Sequence, residues 1–173
     1  ELEKYSESAI GSGAGKKRLF ASDAAKGFAF IDLCRKRFDV LLMNPPFGDA
    51  SIKSKRYIDT AYTRTKGDVL ANFIERSELI TTDSGLVGAI TSRTCLFLSS
   101  MSSLRETVLG KDTEIQLCAD LGDGVLDAMV ETAAYTLSKG GGTSLFYRLV
   151  DEKNKENKLR QVVKDPSGLS CVF

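Results

Sequence analysis

The sequence predicts an α/β fold in which parallel strands carry helices on both faces and an antiparallel hairpin lies at the C-terminal edge of the sheet. Short, unbroken apolar runs at 38–43 (FDVLLM) and 85–92 (GLVGAITS) are typical of strands that are buried on both faces. Segments with helical apolar spacing separate such runs, which is the pattern of parallel strands joined by crossover helices. Two further strand-like segments, 130–139 and 144–150, are joined by the glycines at 140–142, and this predicts the hairpin.

The size and composition of the chain predict one globular domain. It has 173 residues, of which 42% are hydrophobic and 27% are charged, the ordinary proportions of a soluble protein. No apolar run approaches the roughly 20 residues that a membrane helix needs, so we expect a cytoplasmic protein with no membrane partner. The formal net charge is +1, and any binding of nucleic acid must therefore depend on a local basic patch.

Histidine and cysteine restrict the chemistry further. The chain contains no histidine, which excludes Ser-His-Asp and Cys-His catalysis and metal sites built on imidazole. The four cysteines lack C-x-x-C spacing, so we predict no metal site and interpret them as reduced thiols, mostly in the core of a cytosolic protein. They are Cys34, Cys95, Cys118 and Cys171.

Three regions are expected along the chain. Residues 1–21 are polar and predict a linker or partial helix, residues 22–150 form the body of the fold, and residues 151–173 are a charged C-terminal segment. Within the body, Ser22 is the expected cap of a helix that runs to residue 37, directly before the first strand.

A long connection and a helix are expected after the first strand. Residues 49–66 predict a polar connection, and the segment 65–68 (TKGD) resembles a capping box that opens the helix. Ser84 and Gly85 are expected to stop this helix before the second strand. Its predicted inward face consists of Val69, Leu70, Phe73, Ile74 and Ile80.

The next elements are a second helix and a third strand. Residues 99–110 predict a helix that ends at Gly110, and residues 113–122 predict the strand. The expected inward residues of this helix are Met101, Leu104 and Val108.

The tetrapeptide Asn44-Pro45-Pro46-Phe47 directly follows the first strand, at the edge of a parallel sheet where active sites lie. Proline locks φ, lacks an N–H and restricts the residue before it, so the loop presents rigid oxygens of the Asn44 amide and the Pro45 main chain. Such acceptors suit the exocyclic amine of a nucleobase, on which Phe47 can stack for about 1–3 kcal/mol. Accepting both amine hydrogens draws the nitrogen lone pair out of conjugation and makes it nucleophilic, without a general base. The alternative is a rigid structural turn.

The same tetrapeptide after a strand resembles the fourth motif of the S-adenosylmethionine-dependent amino-methyltransferases, notably the N6-adenine DNA methyltransferases. TKGDVLANFIER at 65–76 resembles the next helix of that family, GLVGAITS its following strand, and DLGDGVLDAMVETAAYTL at 120–137 its eighth motif. The ordered set covers approximately residues 20–140. It is similar to the large adenine methylases of phage-exclusion systems of the BREX type and of restriction-modification systems, which implies a partial Rossmann-like methyltransferase sheet.

The resemblance implies roles for single residues of the loop. Asn44 and Pro45 would accept hydrogen bonds from the target amine of adenine, within a rigid catalytic loop that includes Pro46. Phe47 would stack on the base, which must be extruded because its amine is buried in the duplex stack. Asn44 would also touch the edge of the site for the cofactor, S-adenosylmethionine.

Two further substrate contacts are left open. A second aromatic residue from the eighth motif would cover the other face of the base; Tyr135 is the candidate, although the matching position could be Leu137, and an alternating strand also suits a core tyrosine. The basic stretch at 51–66 is either a solvated loop or a site for DNA phosphates, whose binding would weaken with salt. Its predicted phosphate contacts are Lys53, Lys55, Arg56 and Lys66.

The resemblance also implies that the chain is the second half of a catalytic domain. The family binds its cofactor through a glycine-rich turn and acidic residues that all precede NPPF. Only 43 residues precede it here, and the segment at 11–17 (GSGAGKK) follows no strand. We therefore expect a fragment that is inactive alone and whose partners are DNA and either the remaining methyltransferase chain or another copy, bound at the exposed edge of the first strand.

Two other functions stay open. A methyltransferase that acts on a glutamine amide or an rRNA base would use an NPPY-like loop, although the long basic insert favours DNA. A degenerate half-domain that serves as a DNA-binding or assembly module would explain the missing cofactor turn.

Overall fold

The computed structural model describes residues 14–126 and 129–165, and the predictions for residues 1–13 and 166–173 lie outside this range. The chain divides into two units, Glu1–Arg37 and Phe38–Phe173. In the first unit, helix α1 spans Ala14–Arg35. It therefore begins before Ser22, the predicted cap, because alanine, lysine, arginine and leucine at the preceding positions all favour helix.

The second unit contains a mixed five-stranded sheet. Its strands are β1 (Phe38–Met43), β2 (Thr81–Ser92), β3 (Glu114–Gly122), β4 (Thr132–Ser138) and β5 (Leu145–Arg148), in the spatial order β1-β2-β4-β3-β5. β1 is parallel to β2 and β3 is parallel to β5, while β4 is antiparallel to both of its neighbours. The predicted α/β class, with parallel strands and an antiparallel element, is confirmed.

The predicted hairpin of the fourth and fifth strands is wrong in its pairing. β4 lies between β2 and β3, and β5 pairs with the outer side of β3. The glycine segment crosses the start of β3, where Gln116 Nε2 donates to the Gly140 carbonyl at 3.1 Å and the Gly142 N–H donates to Glu114 at 3.1 Å. The central position gives β4 a ladder of backbone hydrogen bonds on both sides, which an edge hairpin does not offer.

Helices cover both faces of the sheet, as predicted. Besides α1, the helices are α2 (Ile52–Ala61), α3 (Val69–Ile80), α4 (Leu104–Asp112, with π-type hydrogen bonding) and α5 (Lys155–Lys164). α3 and α4 pack on one face, where Leu70, Ile74, Leu104, Val108 and Leu137 are buried in one cluster. α5 packs on the other face, where Val162 joins a cluster with Leu121, Tyr147 and Leu149. No helix in the described ranges is both long and apolar enough to cross a membrane.

Several predicted helix boundaries differ from those observed. The polar connection contains α2, and the cap of α3 is Asp68 and not Thr65, whose hydroxyl is used by Glu75. Phe73, predicted to face inward, is 46% exposed. α4 continues past Gly110, whereas Met101, Leu104 and Val108 are buried as predicted.

The start of β2 also differs from the prediction. β2 begins at Thr81, so Ser84 and Gly85 lie inside the strand and do not end the helix. The pairing with β1 shifts between Phe38↔Thr81 and Val40↔Leu86, which places both residues in an irregular part of the ladder. A Cβ atom on Gly85 would lie 3.0 Å from the Asp39 carbonyl oxygen, and this close approach explains the glycine.

Candidate active site

The loop formed by Asn44, Pro45, Pro46 and Phe47, the NPPF loop, leaves the carboxyl end of β1. Asn44 is exposed and has no side-chain hydrogen-bond partner among the described residues. Pro45 is buried and Phe47 is 38% exposed, so the loop is anchored at its first proline and presents its amide and its ring outward. This arrangement leaves the Asn44 amide available to a ligand.

The end of the loop is bound to the N-terminus of α3. The Val69 N–H donates to the Gly48 carbonyl at 2.9 Å, and Gly48 has φ of +98°, a conformation that favours glycine. The Asp68 carboxylate accepts the Leu70 N–H at 2.8 Å and also the Gly48 N–H. Burial raises the pKa of Asp68, while the two backbone donors act in the opposite direction.

A cavity of about 550 Å³ adjoins Asn44 on the sheet face that carries α5. Its lining is largely apolar and includes Leu42, Ile90, Ala134 and Leu159. A predominantly apolar wall with few polar groups is the usual character of a site that takes a ring system. The Asn44 side chain is therefore one of few polar groups beside an apolar surface.

The predicted basic residues lie on exposed positions near the NPPF loop in sequence. Lys53, Lys55 and Arg56 are on α2, which Ser51 caps by accepting the Ser54 N–H at 3.3 Å. Lys55 forms an exposed ion pair with Asp59 at 3.3 Å. Lys66 lies in the exposed turn before α3 and is also exposed.

Arg64, from the same basic stretch, has a structural role. It forms ion pairs with Glu75 at 2.9 Å, with Glu78 at 3.9 Å and with Asp112. Burial would lower the pKa of Arg64, but the hydrogen bonds to Asp112 and Glu75 outweigh it and raise this pKa. Its charge is thus neutralised within the fold.

The structure does not bring Tyr135 to the exposed loop. Its side chain is 2% exposed in the core cluster, where its hydroxyl accepts a hydrogen bond from Thr91 at 3.2 Å. Burial raises the pKa of Tyr135 well above its usual value. Leu137, the alternative position, is 1% exposed, so the core interpretation fits either register.

Sequence reasoning missed an ion-pair group at the same edge of the sheet. Arg93, after β2, contacts Asp120 of β3 at 2.8 Å and Glu131, before β4, at 3.1 Å. Its guanidinium also lies 5.4 Å from the ring centre of Phe97, which is 56% exposed. No local pattern announces this group, because the insertion of β4 between β2 and β3 brings the three charges together.

The apolar cavity allows a partial test of the cofactor call. Its lining includes Asn44 but no carboxylate that would bind the hydroxyls of a ribose. Within the described ranges, no group of three or more histidine, cysteine, aspartate or glutamate residues is placed to hold a metal ion. The described residues therefore do not complete a site for S-adenosylmethionine.

The fold is similar to that of known methyltransferases. A Listeria monocytogenes protein assigned to the class I S-adenosylmethionine-dependent methyltransferases superposes with a TM-score of 0.59 and 12% identity, over 75% of this chain and 43% of that protein. The methyltransferase subunit of a type I restriction-modification system from Streptococcus thermophilus gives 0.59 and 16%, over 79% of this chain and 34% of the subunit. At such identities, these similarities show the shared fold.

Comparison of the sequence gives the family. An adenine-specific methyltransferase, PglX, from Lacticaseibacillus casei (strain Zhang) is 27% identical over 150 residues, which cover 79% of this chain and 12% of that protein. The chain thus spans a small part of the curated relative. Residues 4–125, more than half of the chain, match the Eco57I restriction-modification methylase family and include the NPPF loop, α3 and β2. The chain therefore belongs to the Eco57I restriction-modification methylases.

Proposed function

We propose that the chain is part of the catalytic domain of a DNA methyltransferase that modifies N6 of adenine within a restriction-modification or phage-defence system. The observation that carries this proposal is the exposed Asn44 amide, which has no partner among the described residues and lies in a proline-stiffened loop at the carboxyl end of β1. Membership of a restriction-modification methylase family and similarity to an adenine-specific methyltransferase support it.

The role of Asn44 and Pro45 in this proposal is to accept the two hydrogens of the adenine amine. Pro45 and Pro46 have no N–H to compete with the ligand, and the locked φ of each proline reduces the rearrangement needed during reaction. Acceptors that are already oriented stabilise the positive charge that develops on the amine nitrogen as it becomes a nucleophile. Proximity of the bound base supplies much of the remaining rate enhancement.

The base must leave the duplex before it can reach this loop. Phe47 is partly exposed beside Asn44 in sequence and is proposed to stack on the extruded adenine. Exposed cations hold the phosphates of the displaced nucleotide in this proposal, so binding of DNA weakens as salt is raised. These cations are Lys53, Lys55, Arg56 and Lys66.

S-adenosylmethionine supplies the methyl group in this class of enzyme. Within this chain, Asn44 is proposed to touch only the edge of its site. Residues outside the described ranges, in a longer chain or a partner, are proposed to provide the remaining contacts. We expect the isolated chain to be inactive and localised in the cytoplasm with its DNA substrate.

The direct test is methyl transfer to adenine in duplex DNA by the full-length protein. Asn44→Ala should lower kcat by about 100-fold or more, because one of two oriented acceptors is lost. Phe47→Ala should raise KM for DNA more than it lowers kcat, because it removes stacking. Asn154→Ala is the matched control, since Asn154 caps α5 with a 3.1 Å bond to the Asn157 N–H. Unchanged methylation by Asn44→Ala would contradict the proposal.

A second candidate function is a binding or assembly module, which the incomplete cofactor site favours. Titration of labelled S-adenosylmethionine separates the two. No binding to this chain, together with binding to the full-length protein, supports a catalytic fragment. No binding to either supports the module, whereas tight binding to this chain alone contradicts the fragment interpretation.

A further inference from the structure

Asp68 joins two segments that are distant in sequence, the end of the NPPF loop and the first turn of α3. Its carboxylate accepts the Leu70 N–H at 2.8 Å and the Gly48 N–H. In return, the Val69 N–H donates to the Gly48 carbonyl at 2.9 Å. Both backbone groups of Gly48 are therefore bonded to the start of α3, and this fixes where the loop ends.

The segment that carries Asp68 is itself held in place. The Asn72 amide donates to the Thr65 carbonyl at 2.8 Å, and the Thr65 hydroxyl donates to Glu75. The Ser103 hydroxyl donates to the Arg64 carbonyl at 2.6 Å. These bonds lie at buried or partly buried positions, so the turn before α3 is a rigid support and not a mobile linker.

An ordinary helix cap does not need the contact with Gly48. Ser51 and Asn154 cap α2 and α5, and each accepts a backbone N–H of its own helix at 3.3 Å and 3.1 Å. Asp68 does the same for α3 and in addition accepts a donor from the loop. Two acceptor oxygens on one side chain allow both bonds at once, which explains a carboxylate at this position.

We propose that Asp68 is a positioning residue for the NPPF loop, which sets the placement of the Asn44 amide relative to the target amine. This inference rests on the proposed function. Asp68 does not touch substrate; it acts through Gly48, only a few residues from Asn44. A misplacement of a catalytic group by about 1 Å can cost about 100-fold in rate, so this bond has a consequence for catalysis beyond the stability of α3.

The test compares Asp68→Ser with Asn154→Ala in the full-length protein. Serine keeps the cap of α3 but has a single, shorter acceptor, so the bond to Gly48 is lost while the helix stays capped. Hydrogen exchange by mass spectrometry on peptides that contain residues 44–50 should show loss of protection in Asp68→Ser only. Methyl transfer should show kcat lowered by about 10- to 100-fold with KM for DNA nearly unchanged. Asp68→Asn, which keeps the side-chain shape, should give an intermediate loss.

The two readouts separate this inference from the proposed function. Unchanged protection of residues 44–50 in Asp68→Ser would overturn the positioning role, whatever the protein methylates. Lost protection with unchanged kcat would overturn it as well, because the bond would then be structural only. If the unsubstituted protein transfers no methyl group to DNA, the proposed function fails, and the exchange experiment still decides whether Asp68 holds the loop.

Discussion

At the scale of single residues, the ionisable groups of the core are held neutral by burial. Burial raises the pKa of the Cys118 thiol to about 12, and it also raises the pKa of Cys95. The Tyr135 hydroxyl, which shares a hydrogen bond with Thr91, has a pKa well above its usual value for the same reason. None of these groups is suited to act as a nucleophile near neutral pH, because the thiolate or phenolate form is disfavoured.

These raised pKa values make the stability of the fold depend on pH in the alkaline range. An unfolded thiol ionises near about pH 8.5, whereas the folded Cys118 thiol stays protonated up to about pH 12. The stabilising contribution is therefore complete below the unfolded pKa and is lost as pH rises through the folded pKa. We expect the free energy of unfolding, measured with urea between pH 7.5 and 10.5 (about two pH units around the thiol pKa), to fall as pH rises.

Substitution of the thiol tests this explanation. Cys118→Ala should reduce the decline of the free energy of unfolding with pH, although it lowers stability at pH 7.5 through lost packing. Cys34→Ala is the control, because Cys34 is exposed and should leave the slope unchanged. Equal slopes for the unsubstituted chain and Cys118→Ala would show that ionisation of this thiol is not the cause.

At the scale of elements, α3 depends on polar contacts in its core-facing side. Asn72 and Glu75 are 5% and 6% exposed, and both bond to Thr65 in the preceding turn. Glu75 also pairs with Arg64 at 2.9 Å, which in turn reaches Asp112 at the end of α4. One arginine thus links the starts and ends of two helices on the same face of the sheet.

Removal of one partner from this buried network should be costly. Glu75→Ala leaves the Thr65 hydroxyl and part of the Arg64 charge without a partner, and we expect a loss of about 3 kcal/mol in the free energy of unfolding. Lys55→Ala breaks the exposed pair with Asp59 and should cost at most about 1 kcal/mol. Chemical denaturation at pH 7 measures both, and similar losses in the two variants would argue against a buried network.

At the scale of the whole molecule, β1 is an edge strand within the described part of the chain. Val40 and Leu42 are 62% and 80% exposed on it, and Leu86 of β2 is 47% exposed. An uncovered edge with apolar side chains is a template for pairing with another strand. The relatives to which the chain is similar are longer, and we expect further sequence, residues 1–37 or a second copy to cover this edge.

The isolated chain should therefore associate in solution. Sedimentation equilibrium at micromolar concentrations should show dimers or larger species, and the double substitution Val40→Lys and Leu42→Lys should shift them to monomers by placing charges on the edge. Leu79→Lys is the control, since Leu79 is 47% exposed on α3, away from the edge strand. A monomeric unsubstituted chain under these conditions would contradict the prediction.

The sequence alone determined the local features of this protein. The apolar run of β1, the rigid loop that begins at Asn44 and the inward residues Leu104 and Val108 follow from composition and spacing over a few positions. Proline geometry and strand burial act on neighbouring residues, so they are visible without a structure. The family resemblance depended on the same local segments in their order.

Only the tertiary structure decided which distant segments meet. The position of β4 between β2 and β3, the core placement of Tyr135 and the bond from Asp68 to Gly48 all join residues that are far apart in sequence. Such contacts depend on the pairing of whole strands and on the closure of long connections, which no short pattern encodes. The strand and its loop were thus given by local chemistry, and their support was given by the packing of the sheet.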